Sequence, residues 1–199
     1  MKVARPRLLV ASLVVAAFVI GGFVWVMSSR DSGDGEIDAV LRDPQDVQAF
    51  PTDGLANDDV QGDPFPTAVF LDRDGNEVTS ESLLGGPLVV NLWFSSCAPC
   101  AKELPAFAAV DADVDDVQFI GVNTIDSVED MERFAGDRGV EYELLRDNYA
   151  ELADGIGAVA FPITLFVDSQ GMIVDQTGPL DEGELRSKVA ELEAHEAST

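Results

Sequence analysis

The chain has 199 residues, 12 Lys/Arg against 37 Asp/Glu, and a net charge of −25. Lys2, Arg5, Arg7 and Arg30 fall in the first 30 residues, which hold no acid; the rest carries 8 basic and 37 acidic side chains, a net −29. That balance excludes a general nucleic-acid binder, which needs Lys/Arg against phosphate, and two cysteines exclude a disulfide-rich scaffold or a four-thiolate zinc site. The only histidine, His195, lies in the C-terminal tail and excludes a histidine-built metal centre and a His-based triad. No metal and no cofactor is expected.

Residues 8–27 form a run of 20 without a charge. A bilayer core takes roughly 20 apolar residues in helix, whereas a signal-peptide apolar region has roughly 7–15. No clear A-x-A site or cysteine follows the run, so an uncleaved anchor is preferred to a cleaved signal. The bases precede the run and acidic sequence follows it, which leaves the N-terminus in the cytoplasm and the remainder outside. The expected division is residues 1–30 as cytoplasmic tip and transmembrane anchor, 31–62 as an acidic irregular linker, and 63–196 as one globular domain. The localisation is then a single-pass cell-membrane protein with its C-terminal domain on the extracytoplasmic side. A helical turn fits Ile37–Leu41. The acidic surface fits solubility in salty surroundings; steering of a basic partner is the sharper alternative.

From Asp63 the pattern is orderly. Ala68–Leu71 and Glu77–Thr79 flank a Gly-bearing turn and form a hairpin. Leu88–Phe94 is a nearly continuous apolar run, as in a central strand buried on both faces. A helix follows Cys97, with Leu104, Phe107, Ala108 and Val110 on one face and a kink at Pro105. Val117–Val122 is a strand. Ser127 caps a helix bearing Val128, Met131, Phe134 and Ala135. Asp147–Ile156 fits a helix, Ile163–Val167 and Met172–Val174 a second hairpin, and Leu185, Val189 and Leu192 a last helix. This order gives an α/β layer fold with a mixed sheet. Two acidic runs fail as calcium loops. The one from Asp111 has Asp116 and Val122 where Gly and Glu are needed, and the one from Asp72 has its Gly two positions early.

Cys97-Ala98-Pro99-Cys100 directly follows the central strand and opens a helix. Free N–H groups and the positive dipole end stand beside the first sulfur, lowering its pKa and favouring the nucleophilic thiolate. Residues three apart lie roughly 5–6 Å from each other, within disulfide reach. Pro99 costs little in a first helical turn. A static four-residue disulfide loop would stabilise the fold little, so redox chemistry is the stronger reading.

At these residues the sequence resembles the thioredoxin superfamily, and within it the membrane-anchored TlpA/ResA-type thiol-disulfide oxidoreductases. The likeness covers about Asp63 to Leu192. Asn91-Leu92-Trp93 precedes the CxPC as Asn-Phe-Trp does in that family. Ala101–Pro105 is similar to its segment ending Glu-x-Pro, and Phe161-Pro162-Ile163-Thr164 to the superfamily's cis-proline loop. The resemblance implies a thioredoxin-like fold, a central mixed sheet flanked by helices, with an N-terminal hairpin and a central insertion near Ala108–Val122. It implies Cys97 and Cys100 as the redox-active disulfide and catalytic pair. Glu103 would manage the proton of Cys100, against the plainer reading of a glutamate near a helix start. Phe161 and Pro162 would bind substrate, Pro162 in a cis peptide and the backbone of Phe161 pairing with an extended segment. The implied partners are disulfide-bearing extracytoplasmic proteins, with apocytochrome c as one candidate, and a membrane thiol donor; the lipid bilayer is met through residues 8–27.

Ser96 replaces a common Trp, and Phe161 a smaller Val or Thr; both alter the substrate-facing surface. A peroxiredoxin-like peroxidase is the first rival, but Phe94 stands where its Thr/Ser is expected. A metallochaperone is the second, but CxxxC spacing and a nearby histidine are missing. Ala98 lacks the histidine of strongly oxidising relatives, which favours a reductant or general exchanger.

Overall fold

The computed structural model describes residues 56–199. The expected anchor at residues 8–27 and the turn at Ile37–Leu41 lie outside the described residues. Among those described, no helix is long and apolar enough to cross a membrane.

Seven strands form one mixed sheet: β1 Val69–Leu71, β2 Glu77–Thr79, β3 Leu88–Trp93, β4 Gln118–Asn123, β5 Glu143–Arg146, β6 Ile163–Val167 and β7 Ile173–Thr177. Their order is β2-β1-β5-β4-β3-β6-β7. β3, β4 and β5 run parallel, and β6 returns antiparallel to β3 with Leu92 opposite Ile163. Four α-helices complete the fold: α1 Ala98–Asp111, α2 Val128–Gly136, α3 Glu151–Gly155 and α4 Glu182–Glu196.

The run of residues 88–93 is apolar on both sides because both sheet faces are covered, and all six residues are buried. Alternation along the strand sends Leu88, Val90 and Leu92 into one core with Phe70, Leu152 and Ile156. Val89 and Trp93 enter the other, against α1, α2 and α4, through residues such as Phe107, Met131 and Leu185. Burying each such side chain contributes about 1.5–3 kcal/mol.

Helix starts follow local chemistry. Ser127 accepts from Asp130 N, and Asp181 and Glu184 form a capping box at α4. α1 continues through Pro105. Proline has no N–H for the carbonyl four residues back, and Arg138 Nε donates to that carbonyl, Ala101 O, at 3.3 Å. The same guanidinium donates to Phe134 O at 2.8 Å and lies 3.5 Å from the Phe134 ring centroid.

Ala108–Val122, the place of the expected central insertion, completes α1 and forms β4, which pairs with β3 along its length. Between Cys97 and Pro162 the chain also builds α2, β5 and α3. The structure corrects two expectations. Strand β5 was not foreseen, and the helix expected over Asp147–Ile156 shrinks to α3, because Asp147 spends its carboxylate on Glu151 N and Ala153 N. Finally, residues 57–62, expected as linker, pack on the fold. Val60 is buried, Gly62 N donates to Ile173 O, and Gln61 Nε2 donates to Val174 O. This strap lies along β7, the edge strand.

Arg138→Ala removes both carbonyl contacts and the stacking on Phe134. It should lower stability by about 1–3 kcal/mol, read as a shift of the urea midpoint of the oxidised protein. An unmoved midpoint would mean that solvent serves Ala101 O equally well.

Candidate active site

β3 ends at Trp93, and four residues later Cys97 caps α1. The intervening turn is fixed twice. Cys97 N donates to Phe94 O at 3.1 Å. Asp126, in the loop after β4, accepts from Ser95 N and Ser95 Oγ, each at 2.6 Å, and from Asn123 Nδ2 at 2.7 Å. Sequence reasoning missed Asp126. Its contact spans 31 positions and exists only because β3 and β4 end side by side.

Cys97 and Cys100 are joined by a disulfide with Cα atoms 5.2 Å apart, as the CxxC spacing at a helix start allows. Cys100 is wholly buried, whereas Cys97 keeps 6% of its surface. Cys100 N donates to Cys97 Sγ at 3.2 Å. In a strongly acidic chain, the first turn of α1 holds no carboxylate, whereas α2 and α4 each carry two acids there. The helix end beside Cys97 thus keeps its positive field for a sulfur anion.

The β3–β6 pairing carries Phe161 to the same place. Phe161 O lies 3.7 Å from Cys97 Sγ. The oxidised sulfur has no proton, so this is a close approach and not a hydrogen bond. The Phe161–Pro162 peptide is cis, Pro162 is buried, and the Phe161 ring meets Phe94 edge-on at 5.3 Å. Four of the five expected site residues, Cys97, Cys100, Phe161 and Pro162, therefore meet at one end of the sheet.

Glu103, the fifth, faces inward from the second turn of α1, only 3% exposed. Its Oε1 accepts from Asn91 Nδ2 at 2.8 Å and its Oε2 from Leu180 N at 3.2 Å. Asn91 Nδ2 also reaches Thr164 Oγ1 at 3.1 Å, across the β3–β6 pairing of those two residues. Burial pushes the Glu103 carboxyl up to about 7, against the opposing pull of the Asn91 and Leu180 donors. Near neutrality this group holds or yields a proton inside the core, one helical turn after Cys100.

Because its folded-state pKa is raised, the native protein binds the Glu103 proton more tightly than the unfolded chain does. Its contribution to stability is complete below about pH 4.5 and is lost as pH rises through about 7. Glu103→Gln should remove that part of the slope, on the order of 3 kcal/mol. Burial also raises Asp111 and Asp147, and they keep their shares in both proteins. Urea unfolding of the oxidised forms from pH 4.5 to 8 tests this; parallel curves for parent and variant would mean that Glu103 is ionised throughout.

The AhpC/TSA family matches residues 61–176, more than half of the chain. The thiol:disulfide interchange protein HelX of Rhodobacter capsulatus is 28% identical over 191 residues, 94% of each chain. Thiol-disulfide oxidoreductase ResA of Halalkalibacterium halodurans is 26% identical over 117 residues, 57% of this chain and 66% of its own, so the match spans just under two thirds of that relative. Among solved structures, MTB dsbF is 31% identical with a TM-score of 0.58, covering 62% of this chain and 93% of that one. The chain belongs to the AhpC/TSA family, with a thioredoxin-like fold, and is similar there to thiol-disulfide oxidoreductases and interchange proteins of the ResA, HelX and DsbE type.

Proposed function

We propose that this protein is a thiol-disulfide oxidoreductase that reduces or exchanges disulfides of extracytoplasmic proteins, held at the membrane by residues 8–27. The observation that carries this reading is the Cys97–Cys100 disulfide at an acid-free helix start, with the Phe161 carbonyl 3.7 Å from Cys97 Sγ.

In the reducing direction the Cys97 thiolate attacks one sulfur of a substrate disulfide. A mixed disulfide forms and the substrate's other sulfur leaves as a thiolate. The Cys100 thiol, deprotonated, then attacks Cys97 Sγ; the substrate's second thiolate leaves and the Cys97–Cys100 disulfide closes. Two electrons pass to the substrate, and a membrane dithiol donor returns them. Cys97 is the attacking sulfur because it retains exposure and caps the helix, while Cys100 is sealed behind it. In this reading Glu103 exchanges the Cys100 proton near neutral pH. Ala98 in the dipeptide favours a reductant or general exchanger over a strong oxidant. Apocytochrome c is the candidate partner that the resemblance supplies.

Cys100→Ser should accumulate mixed disulfides through Cys97, and Cys97→Ser should accumulate few. Non-reducing electrophoresis with mass spectrometry after mixing with a disulfide substrate reads this. Equal trapping by both variants overturns the assignment, and full insulin-reducing activity in the double variant overturns the redox reading.

Cell fractionation with a protease-access assay should find the full-length chain in membranes, its CAPC domain cleavable from the outside. Recovery of that chain in the cytosol would sink the anchored reading.

A further inference from the structure

The strap reaches the loop before Pro162 through Asp58 N, which donates to Gly157 O at 3.5 Å, and through the side chain of Asn57. Asn57 Oδ1 accepts from Val159 N and Ala160 N, each at 2.8 Å, and Asn57 Nδ2 donates to Ala160 O at 3.0 Å. A carboxamide offers the same donor and acceptor as a peptide unit, so Asn57 takes the place that a neighbouring strand would take beside Val159 and Ala160. The next residue, Phe161, is left open: among the described residues its N–H has no partner and its carbonyl meets only Cys97 Sγ.

Asn57 is itself held in place. Gln176 of β7 accepts from Val60 N at 3.0 Å and donates to Asp58 O at 2.9 Å. Val60 is anchored in the core. Asp58 sits so close to Gly157, whose φ is +58°, that a Cβ there would lie 2.2 Å from Asp58 Oδ2. The strap and the loop before Pro162 therefore fit as one unit.

We propose that Asn57 is a positioning residue that sets the register of substrate pairing: by filling the backbone groups of Val159 and Ala160, it leaves Phe161 as the one peptide unit at which an extended substrate pairs. This rests on the oxidoreductase reading above. A strand advances about 3.3 Å per residue, and attack requires sulfurs roughly 3–3.5 Å apart. A slip of one or two residues toward Val159 carries the substrate sulfur beyond reach of Cys97. With Asn57 present, that slip finds no free N–H.

The test uses the full-length chain, reduced beforehand, in single-turnover reactions with two probes. One is a disulfide-linked peptide with extended flanks; the other is hydroxyethyl disulfide, which has no backbone to pair. For Asn57→Ala the maximal rate with the peptide should fall about fivefold, because out-of-register complexes that hold the substrate sulfur beyond Cys97 compete at saturation, the loss of roughly one net hydrogen bond's discrimination. The peptide concentration giving half-maximal rate should fall in step, and the maximal rate with hydroxyethyl disulfide should stay within about twofold. Asn57→Asp keeps the two accepting contacts and should restore most of the maximal rate with the peptide; it carries the comparison alone if Asn57→Ala does not fold. Equal losses with both probes, or a rise in half-saturation with unchanged maximal rate, would overturn the register role in favour of a merely structural staple. An unchanged Asn57→Ala also overturns it. A parent inert toward both probes would instead overturn the oxidoreductase reading on which this rests.

Discussion

The register between β3 and β6 is the constraint on which the site depends. With Leu92 opposite Ile163, the chain leaving β3 and the chain entering β6 arrive at the same end of the sheet. Cys97 lies five residues beyond the first of these positions and Phe161 two before the second. A one-residue slip would turn Leu92 and Ile163 out of one core and Val89 and Trp93 out of the other. Apolar burial thus fixes the register, and the register brings Cys97 Sγ beside the peptide unit of Phe161.

The same pairing places one polar group where the core is otherwise apolar. Asn91 and Thr164 face each other on the side covered by α1, and Asn91 Nδ2 reaches both Thr164 Oγ1 and Glu103 Oε1. A carboxyl so enclosed resists ionisation, and two donors restrain it from shifting further. A wholly apolar pocket would raise such a group more, and a solvated one would leave it near its ordinary value. The acidic surface is a separate matter: dozens of carboxylates lie outside, yet the first turn at Cys97 has none.

Much of this was legible because it is local. The buried run of residues 88–93, the CAPC following it and the capping serine at 127 carry their signals within a few positions, and the pair Phe161-Pro162 is recognisable from its family pattern. What escaped notice depends on contacts far apart in sequence. β5 is short and half-buried, with no strong alternation, and exists because β4 and β1 offer it edges on both sides. Asp126 and Asn57 look like ordinary loop polars until the fold brings Ser95 and Ala160 to them. The linker boundary was misplaced for the same reason: residues 57–62 are polar and acidic by composition, and only β7 explains their order.

The strap has a consequence for how this molecule behaves among its neighbours. A sheet ends in two rows of unpaired peptide groups, each a template for another chain. At one end the row is only three residues long, and Glu77 and Thr79 stand exposed in it. At the other, Gly62 and Gln61 take up the carbonyls of Ile173 and Val174. Both margins thereby offer a neighbouring copy little to pair with. Under the proposed function the chain pairs with a substrate's backbone at Phe161, while these margins are guarded against its own copies.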